Sequence, residues 1–565
     1  MRLRRTALGG LILALSGTLA FAPVGPAATA DPTAPVAPTL PEQAAEQAQE
    51  HALEALETVQ EILDGDGEGP EDEPAELTIA LHDLAAQAAA LPAAEREQAQ
   101  RLLARPTDTT GPATCDHEYA CYDASATQYY ECSDQVCVHW VTTTADRVPA
   151  EDDGPGGNFS GEVNGIPDYV DTVLREMDHV AGAYTGAGYR PVLSDDGRGA
   201  DGMTATEADL PDIYLAQLVS ATLALYGYCT TDDPDVIDGD PYGDLHLRTW
   251  AYCVLDNNYT DAIFNRRTPL ENLQVTAAHE YFHAVQYGYD VDEDSWILEA
   301  TATWAEDQLY DDVNDNIAYL PYGPIRHPQT PLDTFNGSYA YGAWIFFQYL
   351  TDRFPAQHGG MPVLLRELWE SMAHSGAGAK SRYSVQAIRK ALEARGTDMT
   401  EVFTDFVVAN RRARASYSDE GAQKYYPVAP LYKRIKPTAA HPKSATTFKL
   451  NHLAARTLRF KPASKGQRRL KLVVKGNPPA IGGSAAVVIK RAGKSPQRVR
   501  LTLNSEGRRV KRLPFTKGEV KWIEVSMVNA STRYWCDLGR GWNYTCQGKP
   551  RDNKAPQKVR ATLIR

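Results

Sequence analysis

The hydrophobic pattern of this chain changes its period near residue 440, and this change constrains the fold most strongly. Between Cys115 and about Pro430, short apolar runs typical of strands are mixed with longer runs of helical period. Beyond residue 440, apolar and polar residues alternate, which is typical of short strands in a sandwich. Because 565 residues exceed what one hydrophobic core supports, we predict an α+β part followed by a separate all-β, sandwich-like part.

The individual elements follow from the same patterns. In the α+β part, strands are predicted at 136–141 and 212–215, and helices at 169–183, 274–287, 296–310 and 341–354. In the β part, strands are predicted at 498–503, 523–527 and 559–564.

The first thirty residues have the pattern of a secretory signal peptide. Three arginines among the first five residues precede an apolar run over 7–22, and Ala28, Thr29 and Ala30 fit a cleavage site. No other stretch offers about 20 uninterrupted apolar residues, so no transmembrane anchor is predicted in the mature chain. We therefore expect a secreted protein, either extracellular or associated with the cell surface.

The cysteines agree with an exported protein. There are 8 of them, an even count that predicts disulfides. Local pairs are expected between Cys229 and Cys253 and between Cys536 and Cys546, each stabilising by roughly 2–4 kcal/mol through loop closure. The first four cysteines could instead form a structural zinc site, although their spacing departs from the usual C-x2-C pattern.

Charge is distributed unevenly along the chain. Residues 31–110 carry 18 Asp/Glu against 3 Lys/Arg and contain two helical stretches, the second over 77–103. This segment is either a removable pro-region or a solvated acidic linker. Residues 431–565 carry 32 Lys/Arg against 5 Asp/Glu, so we expect them to contact a polyanionic cell-surface polymer or the acidic part of the chain itself. No nucleic-acid recognition motif is present, and no nucleic-acid partner is expected.

The motif with the most specific chemistry is H-E-x-x-H at 279–283, inside a helical stretch. Residues four apart share one helical face, so His279 and His283 can reach a single cation, with Glu280 beside them. This spacing suits zinc, which takes three protein ligands in catalytic sites. Glu299 is the expected third ligand, because it lies in an apolar helical stretch where a buried carboxylate needs a partner. Glu306 competes for this role, or holds a ligand histidine from outside.

These residues resemble the gluzincin arrangement of thermolysin-like and aminopeptidase-like metallopeptidases, in the zincin group known as peptidase clan MA. The stretches 163–170, 251–258, 276–279 and 302–307 are also similar to a family of secreted bacterial metalloproteases known mainly from sequence. The resemblance covers roughly residues 111–430. It implies a zincin-like metallopeptidase domain in which Glu280 is the general base.

The resemblance also implies a residue that stabilises the oxyanion, commonly Tyr or His. Tyr341 is the first choice and Tyr339 the second. One position departs from the thermolysin-like pattern, where an Asp four residues after the ligand Glu orients a histidine. Here that position is Thr303, so the outer contact of the histidine stays unassigned.

A calcium site is a weaker expectation. Oxygen-bearing side chains of Asp152, Asp153, Asn164, Asp168 and Asp171 surround one turn and could coordinate calcium. The simpler interpretation is that Asn164 and the next glycine form the turn and that a helix begins at the following proline.

Together, the patterns predict a signal peptide at 1–30, an acidic helical pro-region or linker at 31–110, a zincin-like metallopeptidase domain at 111–435 and a basic β-sandwich domain at 436–565. The expected function is that of a secreted zinc peptidase acting on protein or peptide substrates, with endopeptidase favoured because no amine-anchoring motif is found. The alternatives are a secreted binding or adhesion protein with an inactive zincin-like domain, and a hydrolase of another bond. An intact Glu280 argues against the inactive form.

Overall fold

The computed structural model describes residues 40–64, 77–109, 114–115, 119–152, 163–199, 202–220, 223–238, 248–373, 382–419, 421–463, 466, 468–536 and 543–565. The predicted signal peptide lies outside the described residues. The helices are α1 Leu40–Asp64, α2 Leu77–Gln87, α3 Ala93–Leu102, α4 Asp168–Gly186, α5 Pro234–Ile237, α6 Pro269–Tyr287, α7 Ser295–Leu309, α8 Ser338–Gly342, α9 Trp344–Arg353, α10 Val363–Met372, α11 Ser384–Ala394 and α12 Met399–Asn410.

The strands of the α+β part are β1 Gln128–Cys132, β2 Cys137–Val141, β3 Asp212–Ala216, β4 Gly227–Thr230, β5 Tyr252–Asp256, β6 Gln357–His358 and β7 Met361–Pro362. Those of the β part are β8 Lys433–Ile435, β9 Lys443–Leu450, β10 Ala454–Phe460, β11 Arg469–Lys475, β12 Gly483–Arg491, β13 Gln497–Val499, β14 Arg508–Pro514, β15 Val520–Asn529, β16 Tyr534–Trp535, β17 Lys549–Pro550 and β18 Ala555–Ile564.

The predicted mixture of helices and strands is confirmed, with three corrections. The helical stretch at 77–103 is divided into α2 and α3, because Pro92 cannot continue a helix through its position. The helix predicted at 341–354 begins earlier, at Ser338, and is divided at Ala343 into α8 and α9. The strand predicted at 498–503 ends at Val499.

A five-stranded sheet forms the framework of the α+β part, in the order β1-β2-β3-β5-β4. Strands β2, β3 and β5 are parallel, while β1 and β4 run antiparallel to their neighbours. Every residue of β2, β3 and β5 is buried, as expected for a sheet covered on both faces. Strand β4 is an edge strand, and its position beside α6 matters for the site described below.

The acidic segment packs on this sheet as part of the fold. Buried residues of α1, α2 and α3 share an apolar cluster with Tyr214, Tyr228 and Tyr252. The Tyr252 hydroxyl donates hydrogen bonds to the carbonyl oxygens of Leu103 and Ala104, at 3.0 and 2.9 Å. The second half of the acidic segment is therefore fixed to the sheet through both apolar and polar contacts.

The buried guanidinium of Arg105 anchors the end of this segment. It forms ion pairs with Asp195 at 2.7 Å, with Asp232 at 2.9 Å and with Asp212. Arg105 is only 1% exposed, and Asp212 also accepts a hydrogen bond from His139 at 2.7 Å. Since buried carboxylates need a compensating charge, Arg105 holds together chain segments that are far apart in sequence.

Two sheets of the β part face each other. One has the order β13-β12-β15-β10-β8 and the other β14-β11-β18-β9. Their inward residues form one core that includes Leu458, Val487 and Ile523 from the first sheet and Leu472 and Val559 from the second. The other face of the β13-β12-β15-β10-β8 sheet packs on the α+β part, where Val408 of α12 contacts Ala486 and Val488.

All eight cysteines form disulfides, and no free cysteine remains. The predicted pairs Cys229–Cys253 and Cys536–Cys546 are confirmed. The first four cysteines pair as Cys115–Cys121 and Cys132–Cys137, so the alternative of a structural zinc site at these residues is wrong. Four disulfides are consistent with an extracellular protein. In the described part of the chain, no helix has the length and apolar character needed to span a membrane.

Replacing Arg105 with Met tests whether the acidic segment is integral to the fold. The variant removes the cation shared by three carboxylates, of which Asp195 and Asp212 are buried, and we expect a loss of about 3–5 kcal/mol in the free energy of unfolding. Urea denaturation followed by circular dichroism measures this change. The control is Arg389→Met on the exposed side of α11, where less than about 0.5 kcal/mol is expected. A loss below about 1 kcal/mol for Arg105→Met would contradict the anchoring role.

Candidate metal centre

Helix α6 carries the H-E-x-x-H motif. It begins behind a capping box, in which the Thr268 hydroxyl accepts a hydrogen bond from the Glu271 backbone N–H and the Glu271 carboxylate accepts one from the Thr268 backbone N–H. His279, Glu280 and His283 are buried, and the two imidazole rings lie 4.8 Å apart between centroids. The four-residue spacing therefore brings both rings to the same side of the helix.

Helix α7 packs against α6 and brings Glu299 to the two histidines. Glu299 Oε2 lies 3.1 Å from His279 Nε2, and Glu299 Oε1 lies 3.6 Å from His283 Nε2. Ligand atoms of His279, His283 and Glu299 all lie within 4.8 Å of one another. The structure thus places together the three residues that the sequence assigns to a metal, and it places Glu299 rather than Glu306 against both Nε2 atoms.

The outer nitrogen of each histidine is held by a different residue. His279 Nδ1 donates a hydrogen bond to Glu306 Oε1 at 2.6 Å. This contact corresponds to the second role expected for Glu306, in which it holds a ligand histidine without binding the metal. His283 Nδ1 donates to Gln286 Oε1 at 2.7 Å. Such contacts fix the ring orientation and turn each Nε2 towards Glu299. Thr303 does not take part, because its buried hydroxyl has no hydrogen-bond partner among the described residues.

The amide of Gln286 is itself oriented by hydrogen bonds. Its Nε2 donates to the Leu298 carbonyl oxygen and to the Thr301 hydroxyl, both at 3.0 Å. These bonds leave Oε1 as the atom that faces His283. Gln286 was not identified from the sequence, although its position three residues after His283 on the same helical face is the signal that could have identified it.

Burial and neighbouring charges shift the pKa values of the site in opposite directions. Burial lowers the pKa of His283 to about 4, which favours the neutral ring that a metal requires. Burial also lowers the pKa of His279, but hydrogen bonds to Glu299 and Glu306 outweigh it and raise the value. For Glu299, burial raises the pKa, yet the two histidines lower it overall. Burial raises the pKa of Glu280 to about 7.

Tyr341 lies at the centre, whereas Tyr339 does not. The Tyr341 ring stacks on His279 with centroids 5.6 Å apart, and its side chain forms a hydrogen bond with Glu299. The neighbouring Gly342 lets the chain approach Gly323 closely, since a Cβ at Gly342 would lie 2.6 Å from the Gly323 Cα. The hydroxyl of buried Tyr339 instead donates to the Thr330 carbonyl oxygen at 3.2 Å.

A cleft of about 530 Å³ lies in front of these residues. Its lining includes His279, Glu280, Glu306 and Tyr341, together with Gly227 of edge strand β4 and residues of helix α2. Strand β4 approaches α6 closely because Gly227 has no side chain; a Cβ there would lie 2.8 Å from the Thr276 Cγ2 atom. The volume is in the range expected for ligand sites.

Helix α2 enters this cleft through Thr78. The Thr78 hydroxyl donates to Glu280 Oε2 at 3.1 Å and accepts a hydrogen bond from the Cys229 backbone N–H at 3.4 Å. Leu77 and Thr78 line the cleft, and both are buried. A residue of the acidic segment therefore bridges the expected general base and the edge strand, a contact that the sequence does not indicate.

The calcium expectation at 152–171 remains a prediction. Asp152 accepts hydrogen bonds from the backbone N–H groups of Asn164 and Gly165, and the Asn164 amide donates to Asp171 at 3.3 Å. These are the contacts of a turn before α4, which is the simpler interpretation, and Asp153 lies outside the described residues. A different group, Asp307, Asp311 and Asp419, has carboxylate oxygens within 4.8 Å of one another.

Comparisons with known proteins do not identify a family. No protein-family model and no curated protein matches the chain. It is similar to the pre-peptidase C-terminal domain of a collagenase from Bacillus anthracis, at 6% identity over 24% of this chain and 97% of that chain, with a TM-score of 0.15.

It is also similar to PliG, a periplasmic inhibitor of g-type lysozyme, from Aeromonas hydrophila, at 14% identity over 23% of this chain and 99% of that chain, with a TM-score of 0.14. TM-scores this low carry no argument about fold or function. The site is therefore judged on its own geometry.

Zinc affinity tests the assigned ligands and their supporting residues. We expect Glu299→Gln to abolish tight zinc binding, because the variant loses a charged ligand. Glu306→Gln and Gln286→Leu should weaken binding by about 10–100-fold, because each loosens one histidine. Competition with a fluorescent zinc chelator measures these affinities. The control is Glu393→Gln, which lies on the exposed part of α11. Unchanged zinc affinity in Glu299→Gln would disprove its role as a ligand.

Proposed function

We propose that this protein is a secreted zinc-dependent metallopeptidase that cleaves peptide bonds within protein or peptide substrates. The observation that carries the proposal is the convergence of His279, His283 and Glu299 within 4.8 Å of one another, with Glu280 beside them in a cleft. Two imidazoles and one carboxylate form the ligand set of a catalytic zinc site with one open position.

The buried atoms of the site support a cation there. His283 Nε2 and Glu299 Oε1 have no hydrogen-bond partner among the described residues, although both are buried. Leaving such atoms unpaired is costly, and a metal between them would satisfy both. When bound, zinc supplies a Lewis acid that activates water and polarises the scissile carbonyl group.

The remaining chemistry belongs to residues of this chain. Glu280 faces the cleft and, in the proposed reaction, accepts a proton from the attacking water and returns it to the leaving amine. Tyr341 also lines the cleft, where its hydroxyl is proposed to donate a hydrogen bond to the developing oxyanion.

The edge strand gives the cleft a way to hold a peptide. In the described part of the chain, strand β4 pairs with β5 on one side only, so the backbone N–H and C=O groups on its other side lie outside the sheet ladder. An extended peptide can add to such an edge through main-chain hydrogen bonds. In the described structure the Cys229 N–H on this strand is already bonded to Thr78. The protein is therefore proposed to be latent, with α2 occupying part of the substrate site.

The Glu280→Gln variant tests the peptidase proposal. It should retain zinc, since Glu280 is not a proposed ligand, and should lose at least about 100-fold in cleavage of a peptide library, because the proton acceptor is removed. Zinc content and cleavage are measured on residues 31–565, with Glu393→Gln as the control. If neither wild type nor variant cleaves although both hold zinc and α2 has been loosened, the rival interpretation of an inactive binding protein replaces this one.

Loosening α2 tests latency. Thr78→Val preserves shape but removes both hydrogen bonds, and we expect cleavage to rise about fivefold, as for the loss of about 1 kcal/mol. Leu81→Asp, which places a charge in the buried face of α2, should raise it further. Gln87→Asp at the half-buried end of the same helix is the control. A thermal melt shows whether each variant remains folded; folded variants with unchanged or lower activity would refute latency.

A further inference from the structure

The four-stranded sheet of the β-sandwich has one face in the core and one face in solvent. Its strands alternate, so that residues such as Leu470, Leu472 and Val474 point inward while their neighbours point outward. The outward positions include nine basic residues, here called the basic face: Lys443, Lys449, Arg469, Lys471, Lys475, Arg508, Arg512, Lys558 and Arg560. The outward positions of these four strands contain no Asp or Glu.

The charges of the basic face are not neutralised within the described part of the chain. No described carboxylate lies within ion-pair distance of any of the nine residues, whereas other basic residues of the β part do find acidic partners. Arg459 pairs with Glu524, as does Arg411 of the α+β part, and Arg498 pairs with Asp405. Those pairs all involve the five-stranded sheet of the β part, which is the sheet that docks on the α+β part. The basic face is therefore not used in docking against the acidic part of the chain.

The arrangement of the basic face also acts against stability. Lys475 lies directly opposite Arg508 on one neighbouring strand and directly opposite Lys558 on the other, and Lys471 lies opposite Arg512. Like charges facing each other across strands are destabilising. A sheet that only had to cover a core would be more stable with acidic residues at some of these positions, so the repulsion points to an anionic ligand that relieves it.

Geometry and composition describe this ligand. Cationic side chains repeat about 4.8 Å apart across strands and about 6.8 Å apart along them, so a ligand with regularly spaced anions can contact many at once. The outward positions contain no aromatic residue, which leaves nothing for nucleobases or sugar rings to stack on. Recognition must therefore depend on charge, and arginine favours phosphate because it forms paired hydrogen bonds with its oxygens.

We propose that the basic face binds an extended polymer of polyol units joined by phosphodiester bonds, through its phosphates. The interaction is electrostatic and lies on a sheet that takes no part in the metal centre. It extends the proposed function, since it would hold the protein on a phosphate-rich surface rather than free in solution.

Binding to a poly(glycerol phosphate) chain of about 20 units tests the proposal on residues 31–565. The triple variant Lys471→Glu, Lys475→Glu, Arg560→Glu should lose at least about 100-fold in affinity at low salt, from about fivefold for each of the three cations removed. The matched control is Lys461→Glu, Lys494→Glu, Arg500→Glu, which changes the net charge equally at exposed positions outside the face. Equal losses in both triple variants would overturn the assignment to this face.

Free-protein stability gives an independent readout with the opposite sign. Because Lys475 faces two cations, Lys475→Glu should raise the melting temperature of the ligand-free protein by about 1 °C or more at low salt, while weakening polymer binding. A misfolded variant would instead show a lower melting temperature together with weaker polymer binding.

Two further ligands decide the identity of the partner. Tighter binding to vesicles of one part phosphatidylglycerol to three parts phosphatidylcholine, or to duplex DNA of equal phosphate number, would overturn the polymer assignment. Absence of binding at about 0.15 M salt would do the same.

Discussion

The contact between helices α6 and α7 is the interaction on which the rest of the candidate site depends. It buries His279, His283, Glu299 and Glu306 together against the apolar core, where unpaired charges would be very costly. Hydrogen bonds and ion pairs within the site compensate most of these groups, but three buried atoms have no hydrogen-bond partner among the described residues: His283 Nε2, Glu299 Oε1 and Glu306 Oε2. The first two lie 3.6 Å apart. The packing of two apolar helices therefore determines where a cation is needed, and the supporting residues on both helices fix the imidazoles before any cation binds.

The acidic segment depends on the same framework and changes what the framework can do. Its charge is high, yet its described helices carry apolar faces that share a cluster with the central sheet. Arg105 then forms ion pairs with carboxylates from three separate segments, which fixes the end of the acidic segment to them. Such a segment is poorly described as a solvated linker, because removing it would expose both apolar surface and buried carboxylates. The same contacts argue against an acidic segment that is only loosely attached to the surface of the α+β part.

The sequence predicted those parts of the site that rest on local periodicity. The four-residue spacing of the histidines and the seven-residue spacing of Glu299 and Glu306 each place residues on one helical face, and the structure keeps both relations. Contacts across the sheet were beyond such reasoning. Thr78 and Glu280 are 202 residues apart, and nothing in either local pattern signals their hydrogen bond. The order of β4 and β5, reversed relative to the chain, likewise depends on which faces can be buried together. Two disulfides, Cys229–Cys253 and Cys536–Cys546, were predicted, whereas the pairing of the first four cysteines was left open against a zinc site.

The two sheets of the β-sandwich differ in whether the charged side chains on their outer faces have partners of opposite charge. In the five-stranded sheet Glu524 is buried against Arg411 and Arg459, so the docking surface carries a compensated charge. In the four-stranded sheet, the strands instead place cations opposite cations, although a single acidic substitution would relieve two repulsions at once. Both sheets cover the same core, so core packing cannot account for the difference. What separates them is that one outer face meets the rest of the protein and the other meets solvent, and only the latter is free to be neutralised from outside.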